Sequence, residues 1–375
     1  MARGASLSAV EPLRSLVVED AADPIEFCYE QGWTDGLPVV PPTEAKVAAA
    51  VAASGRAADE VVCRYPERQR ELTVAHVAAN AVMAGCRPEY LPVVVAILEA
   101  MATDAFGLHA ANATTGGSAV AFVVNGPVRR QLGMNWRGNV LGPGNRANAT
   151  IGRAVRLTQI NGFGSVPGAG NEGLVPPEGR PILDRATLGQ PGKYTGYHIV
   201  ENEEDHPSLR PLHVERGWAP EQSVVTVLAT AGHTQLAVQH ESSAEAVVAT
   251  ICHHLVGAGR LSRYGWCALV VPPENAEIFV RDGWTKADIR RAVFEGTTRT
   301  VAWVKRHGGS LTGGLMDRRG APVLDGDEEL TAAAAGSPDD ILVVVAGGPA
   351  GAFVQALFPY GGMASTEIRL PKEMA

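Results

Sequence analysis

The chain has 375 residues, and its 40 acidic side chains outnumber 32 lysines and arginines to give a net charge of −8. This acidic balance argues against nucleic acid and anionic membranes as partners, because both are themselves negatively charged. A composition with 46% hydrophobic and 19% charged residues excludes a disordered chain.

The chain shows no sign of a membrane or a secretory destination. No apolar run reaches the length of a bilayer span, and the first residues contain no apolar signal core. The five cysteines are scattered and form no C-x-x-C pair, which indicates reduced thiols and argues against a disulfide framework. We therefore expect a cytoplasmic protein.

The predicted elements begin after an N-terminal arm at residues 1–20. A short helix over Asp23–Gln31 ends at Gly32, and the proline-rich segment Trp33–Pro42 cannot be helical. Apolar residues at helical spacing then predict five further helices. These lie near 74–84, 90–101, 151–160, 244–256 and 287–294.

Five continuous apolar runs are typical of strands that are buried on both faces. Because helices separate several of these runs, the sequence predicts an α/β fold with a mixed, mostly buried sheet that helices flank. The runs are Val120–Val124, Tyr197–Val200, Val224–Ala229, Cys267–Val271 and Ile341–Ala346.

Two parts of the chain show the same order of helix, connection, strand, proline and helix. They predict a duplicated αβα unit, with pseudo-repeats at 72–160 and 220–350. No low-complexity linker separates them, so residues 21–375 are predicted to form one large α/β unit.

Cys86 lies between two predicted helices and next to Arg87. A helix N-terminus and an adjacent cation both favour the thiolate, which is a nucleophile and a metal ligand. Cys86 is therefore the predicted nucleophile or redox thiol. The alternative is a small apolar residue that fills space between packed helices.

Two glycine-rich loops are candidate anion sites. The tract at 142–150 leads into a helix, with Asn148 as a candidate cap and Arg146 as a cation. The loop at 187–194 carries Lys193 and Tyr194, which can bind a carboxylate or donate a proton. The sequence predicts that both loops converge on one anion site, and an ordinary turn is the alternative for each.

Two carboxylates are candidate catalytic groups. Glu201 follows a predicted strand directly, where open α/β sheets often place catalytic side chains. Asp35 lies in a short polar turn between apolar anchors, and can act as a general base or orient a cation such as Lys193. The alternative for Asp35 is an Asx-turn with its own backbone. The segment Trp33–Pro42 is expected to be ordered and to line the site.

Histidines provide the candidates for proton transfer and for a metal. His109 precedes a polar loop of small residues that includes Thr115, a candidate substrate contact. His109, His233 and His240 are the candidate metal ligands, but no H-x-H or H-x-x-x-H spacing brings them together. A metal is therefore not favoured, and no cofactor is identified.

Several long motifs are spread over most of the chain. They are G-W-T-D-G-L-P-V-V-P-P-T at 32–43, A-V-M-A-G-C at 81–86, N-A-T-I-G-R-A-V-R at 148–156, L-G-Q-P-G-K-Y at 188–194 and L-H-V-E-R-G at 212–217. Together they resemble a largely uncharacterised bacterial family whose members often occur beside small proteins named for a U-G-S-C or C-G-S-C (seleno)cysteine motif. The resemblance implies thiol-linked or reductive chemistry on a small molecule, and a UGSC-type (seleno)protein as a possible partner.

The sequence thus predicts an enzyme of small-molecule metabolism, an oxidoreductase or lyase, that acts on a small anionic substrate through thiol-linked chemistry. A homo-oligomer is expected. Two alternatives remain open: a histidine-liganded metal-dependent lyase or hydrolase, and a non-catalytic ligand-binding subunit that serves a partner protein.

Overall fold

The computed structural model describes residues 13, 15–17, 23–167, 184–308 and 319–371. Most of the predicted arm at 1–20 lies outside this range, as do residues 168–183, 309–318 and 372–375. Within it, no helix is both long and apolar enough to cross a membrane.

The described residues form α-helices and β-strands, and helices lie between the predicted strands along the chain, as the sequence indicates. The helices are α1 (Pro24–Glu30), α2 (Glu44–Ser54), α3 (Val74–Ala84), α4 (Leu91–Met101), α5 (Leu108–Ala113), α6 (Val128–Gln131), α7 (Arg146–Asn161), α8 (Gly192–Thr195), α9 (Leu212–Glu215), α10 (Ala244–Gly257), α11 (Pro273–Arg281), α12 (Lys286–Thr297) and α13 (Val301–His307). The strands are β1 (Val61–Tyr65), β2 (Arg70–Thr73), β3 (Ala119–Asn125), β4 (Tyr197–Val200), β5 (Val224–Ala237), β6 (Cys267–Val271), β7 (Arg299–Thr300), β8 (Thr331–Ala332), β9 (Ile341–Val345) and β10 (Phe353–Glu367).

The main sheet has six strands in the order β4-β3-β5-β10-β6-β9. The two outer pairs, β3–β4 and β6–β9, are parallel, and the three inner pairs are antiparallel. All five predicted strands belong to this sheet. The predicted α/β class with a mixed, helix-flanked sheet is confirmed.

The two halves of the sheet have matching topology when each is followed inward from its edge. One half has the order β4-β3-β5 and the other has the order β9-β6-β10. Each half contains one parallel outer pair and one long central strand. Matched topology of this kind is what a duplicated unit would produce. The duplication itself, with its predicted limits at 72–160 and 220–350, stays a prediction.

The central strand β10 is absent from the sequence-based prediction. Its run is interrupted by Pro359 and by Gly361 and Gly362, which are unfavourable within a strand. The structure accommodates them in a bulge, because the pairing of β10 with β5 shifts register between Pro359 and Met363.

Three hydrophobic clusters cover the sheet. Helices α3, α4 and α7 pack on one face of β3 and β5 through residues that include Phe122 and Val227. Helices α10, α11 and α12 cover β6, β9 and β10. The opposite face forms a third cluster to which all six strands contribute, with Ala121, Leu228 and Val344 among its members.

The two edge strands of the sheet meet at their carboxyl ends. The Asn202 backbone N–H, just after β4, donates to the Val345 carbonyl of β9 over 2.7 Å. In a flat sheet of six strands these edges would be roughly 24 Å apart at the usual spacing. The sheet must therefore curve strongly, and the third cluster fills its concave side.

Glu201 lies at this meeting point and is 1% exposed. One carboxylate oxygen accepts from Lys286 Nζ at 2.6 Å. The other accepts from Asn125 Nδ2 at 2.6 Å and from the Leu212 backbone N–H at 2.8 Å. Donors from β3, α9 and α12 thus occupy both oxygens of this carboxylate. Its role is therefore structural, because it holds these three elements together. The prediction of Glu201 as a catalytic group is corrected accordingly.

Removal of either partner of the Glu201–Lys286 pair should destabilise the fold. An uncompensated buried charge costs about 3–5 kcal/mol. We expect a loss of this size in the free energy of unfolding for Glu201→Gln and for Lys286→Met. The double variant should lose less unfolding free energy than the two single variants lose together, and urea unfolding measures all three losses. Additive losses, or losses as small as that of Glu328→Gln in the exposed pair of Arg306 and Glu328, would contradict this role.

Candidate functional site

A small polar cavity lies at the amino ends of β3 and β4. Its enclosed volume is about 20 Å³, which is room for about one water molecule. Helices α5 and α7 and the segment before β4 form its walls. The polar side chains that line it are Asn112, Ser118, Gln159, Ser165, Arg156, Asp184 and Lys193.

Helix α7 reaches this cavity because small residues let it approach β4 closely. Asn145 begins the helix, since its side chain accepts from the Asn148 N–H at 3.1 Å. A side chain at Gly152 would collide with the Thr195 carbonyl. Gly196 has a φ of +65°, and a Cβ there would lie 2.8 Å from the Val120 carbonyl.

Asp184 is the centre of the cavity's charged group. Lys193 Nζ lies 2.6 and 2.7 Å from its two oxygens, and Arg156 Nη2 lies 2.9 Å from Oδ2. Burial alone would raise the pKa of Asp184, but Arg156 and Lys193 lower it. Burial lowers the pKa of Lys193 and of Arg156, and Asp184 opposes both changes.

This group contains more positive than negative charge. Among the described lining residues, Arg156 and Lys193 are the cations and Asp184 is the one carboxylate. Arg156 is 7% exposed and the Lys193 side chain is 15% exposed. Buried charge is costly, and titratable groups with shifted pKa values in a cavity are typical of functional sites.

The segment before β4 is held in place by neutral contacts. Gln190 Nε2 donates to the Gly117 carbonyl at 2.5 Å, and its Oε1 accepts from the Tyr197 hydroxyl at 2.8 Å. Lys193 points into the cavity, whereas Tyr194 is 52% exposed and does not line it. Thr115 is also exposed and lies outside the lining.

The predicted acidity of Cys86 is wrong. Burial raises the pKa of Cys86 to about 12, although a hydrogen bond with Thr150 and the charge of Arg146 oppose this rise. The residue follows the end of α3, and a turn of 3₁₀ helix separates it from α4. Desolvation therefore outweighs the helix N-terminus on which the prediction relied.

The predicted convergence of the two loops on one anion site is also wrong. Arg146 is exposed and donates to the Gly85 carbonyl at 2.9 Å. Lys193 pairs with Asp184 near Arg156, which is ten residues further along α7 and hence about 15 Å away along its axis. Asn148 is buried, and its side-chain amide binds the Asn135 backbone rather than a ligand.

Asp35 has a structural partner that the sequence did not indicate. Arg153 donates hydrogen bonds to both carboxylate oxygens of Asp35, from Nε at 2.9 Å and from Nη2 at 2.8 Å. The Leu37 N–H also donates to Asp35 at 3.2 Å, which is the Asx-turn that the sequence left open. The ion pair with Arg153 thus holds the segment Trp33–Pro42 against α7. Asp35 does not orient Lys193, which pairs with Asp184, and its oxygens are not available as a general base.

The three candidate metal ligands are not brought together. His109 pairs with Tyr65 at 2.8 Å, His233 packs edge-on against Tyr197, and His240 is exposed. Across the part of the chain that the structure describes, no group of three histidine, cysteine or carboxylate side chains could hold a metal ion.

Three residues of interest were not predicted from the sequence: Arg156, Asp184 and Tyr65. Arg156 is a charged residue that lies between the buried Val155 and Leu157 on α7. The sequence signal that could have revealed Arg156 is a charged residue within the apolar pattern of a predicted helix. Tyr65 precedes a short proline turn and gave no comparable signal.

Comparison of the chain with protein-family models, curated proteins and solved structures finds no match.

Cys86 should react slowly with iodoacetamide in the folded protein. With a pKa of about 12, the thiolate fraction at pH 8 is on the order of 10⁻⁴. We expect the labelling rate to rise about tenfold per pH unit up to pH 10, and labelling in urea to be at least about 100-fold faster. Mass mapping after quenching measures both. Labelling of native Cys86 at the rate found in urea would contradict a raised pKa for this thiol.

Proposed function

We propose that this protein is an enzyme of small-molecule metabolism that holds an anionic group of its substrate in the cavity of Arg156, Asp184 and Lys193. The observation that carries the proposal is the surplus cation: among the described lining residues, the buried Arg156 and the mostly buried Lys193 share one carboxylate, Asp184. A bound anion would complete the charge balance.

Other buried ion pairs of the chain provide the contrast. Lys286 pairs with Glu201, and Lys305 pairs with Asp327 at 2.7 Å, each one to one. Both pairs are at most 7% exposed. The arrangement around Asp184 therefore differs from these structural pairs in its charge balance.

A carboxylate fits this cavity by its chemistry. A guanidinium binds it with directed hydrogen bonds, and an ammonium adds a compact charge. The cavity holds about one oxygen-sized group, so we expect one carboxylate oxygen to enter it and the rest of the substrate to remain outside.

The thiol-linked step is not part of this proposal, because burial raises the pKa of Cys86. The oxidoreductase and lyase classes, a homo-oligomer and a UGSC-type partner remain predictions. A non-catalytic binding subunit would use the same cavity. Turnover of a bound carboxylate by the purified protein alone would distinguish an enzyme from such a subunit.

Lys193→Met tests the proposal, and Lys305→Met is its matched control. Lys193→Met leaves Arg156 and Asp184 as a balanced pair, so we expect little loss of stability. Lys305→Met leaves Asp327 unpaired, which should cost about 3–5 kcal/mol. Urea unfolding in a buffer without small carboxylates measures both losses.

Anion binding is then measured by calorimetry with formate, acetate, sulfate and phosphate at constant ionic strength. We expect the wild type and Lys305→Met to bind formate or acetate with equal affinity, and Lys193→Met to bind at least about tenfold more weakly. The proposal is overturned if none of these anions binds the wild type in a saturable manner. It is also overturned if Lys193→Met binds formate or acetate as tightly as the wild type does.

A further inference from the structure

A larger cleft lies beside the charged cavity, on the other side of α5. Its volume is about 480 Å³, within the range of small-molecule sites. Strand β1 with the turn after it forms one wall, and the connection from α4 to α5 forms the other. Tyr65, Glu67, Asp104 and His109 are among its lining residues.

Tyr65 and His109 form a fixed pair in this cleft. The Tyr65 hydroxyl and His109 Nδ1 lie 2.8 Å apart. The Tyr65 ring is fully buried and packs edge-on against Phe163 at 5.3 Å, which sets its orientation. His109 is exposed, and its Nε2 has no protein partner among the described residues.

The Tyr65 hydroxyl is able to donate to His109 Nδ1. Burial and then the charge of Glu67 raise the pKa of Tyr65 to about 12, although the charge of Arg68 and a hydrogen bond with Asn112 partly oppose this rise. The hydroxyl therefore stays protonated near neutral pH, with its oxygen 2.8 Å from Nδ1. When it donates there, the ring hydrogen lies on Nε2, the nitrogen without a protein partner among the described residues.

We propose that the Tyr65 hydroxyl donates to His109 Nδ1 and that the Nε2–H of His109 binds the oxygen of an uncharged carbonyl compound in this cleft. The described lining has two carboxylates, Glu67 and Asp104, and one cation, Arg64, which pairs with Glu71 at 2.6 Å, so the charge of the cleft disfavours an anionic ligand. Tyr65 is a positioning residue that acts through His109. This second site is distinct from the anion site, because the two share no lining residue.

Carbethoxylation by diethyl pyrocarbonate tests the assigned proton positions, because the reagent attacks an unprotonated ring nitrogen. In the wild type, Tyr65 occupies the Nδ1 lone pair and Nε2 carries the hydrogen. We expect His109 to react at least about fivefold more slowly than the exposed His253 and His254, as read by mass mapping.

Tyr65→Phe should remove this protection and leave the ring packing against Phe163 in place. His109 should then react at the rate of His253 and His254, whose own rates should not change. Wild-type His109 reacting as fast as those two residues, or a slow rate that persists in Tyr65→Phe, would overturn the assignment.

Acetone, as an uncharged carbonyl probe, tests the ligand class. In protein labelled with ¹⁵N-histidine, acetone should shift the His109 Nε2 signal in a saturable manner, and formate at equal ionic strength should not. The signal is identified by its loss in His109→Gln.

Lys193→Met should leave the acetone response unchanged, so the outcome is separate from that of the anion site. A response that is not saturable, or that formate reproduces, would overturn the proposed site.

Discussion

The buried carboxylate of Glu201 is the constraint on which this architecture depends. Its donors come from β3, α9 and α12, elements that are far apart in the chain. These donors converge only if the edge strands β4 and β9 meet, which requires a strongly curved sheet. With this strand order, both halves of the chain contribute residues to one closed hydrophobic core.

Closure at the carboxyl ends of β3 and β4 explains why the candidate site lies at their amino ends. The usual ligand position in an open α/β sheet is the carboxyl edge. Here that edge is filled by Glu201 and by the pairs of Arg129 with Glu203 and Glu204. At the opposite end, small residues on α7 and before β4 leave a polar cavity. The two ends also differ in charge balance, and the proposed binding role of the cavity rests on this difference.

The sequence predicted the sheet well where the strands are continuous apolar runs, because burial on both faces leaves that pattern. It missed β10, whose apolar residues are divided by Pro359 and a glycine pair that only tertiary pairing can accommodate in a bulge. It identified Lys193 from its loop but not Arg156 and Asp184, since the three meet only when α7 packs under β4.

The errors at Cys86 and Glu201 share one cause. Both were assigned chemistry from local features, namely a nearby helix end and the end of a strand. Neither feature reveals burial by distant elements, and burial determines what both groups can contact. Desolvation leaves Cys86 protonated, and donors from three elements occupy Glu201. By contrast, the Asx-turn at Asp35 is local and was anticipated as an alternative.

The surplus positive charge around Asp184 is the central claim, and anomalous diffraction from crystals grown with bromide in place of other small anions tests it most directly. Bromide is monatomic, and its anomalous signal identifies it against water. We predict a bromide peak in the cavity, within contact of Lys193 and Arg156, that disappears in Lys193→Met crystals. A cavity without that peak, in crystals that bind bromide elsewhere, would contradict an anion site at Asp184.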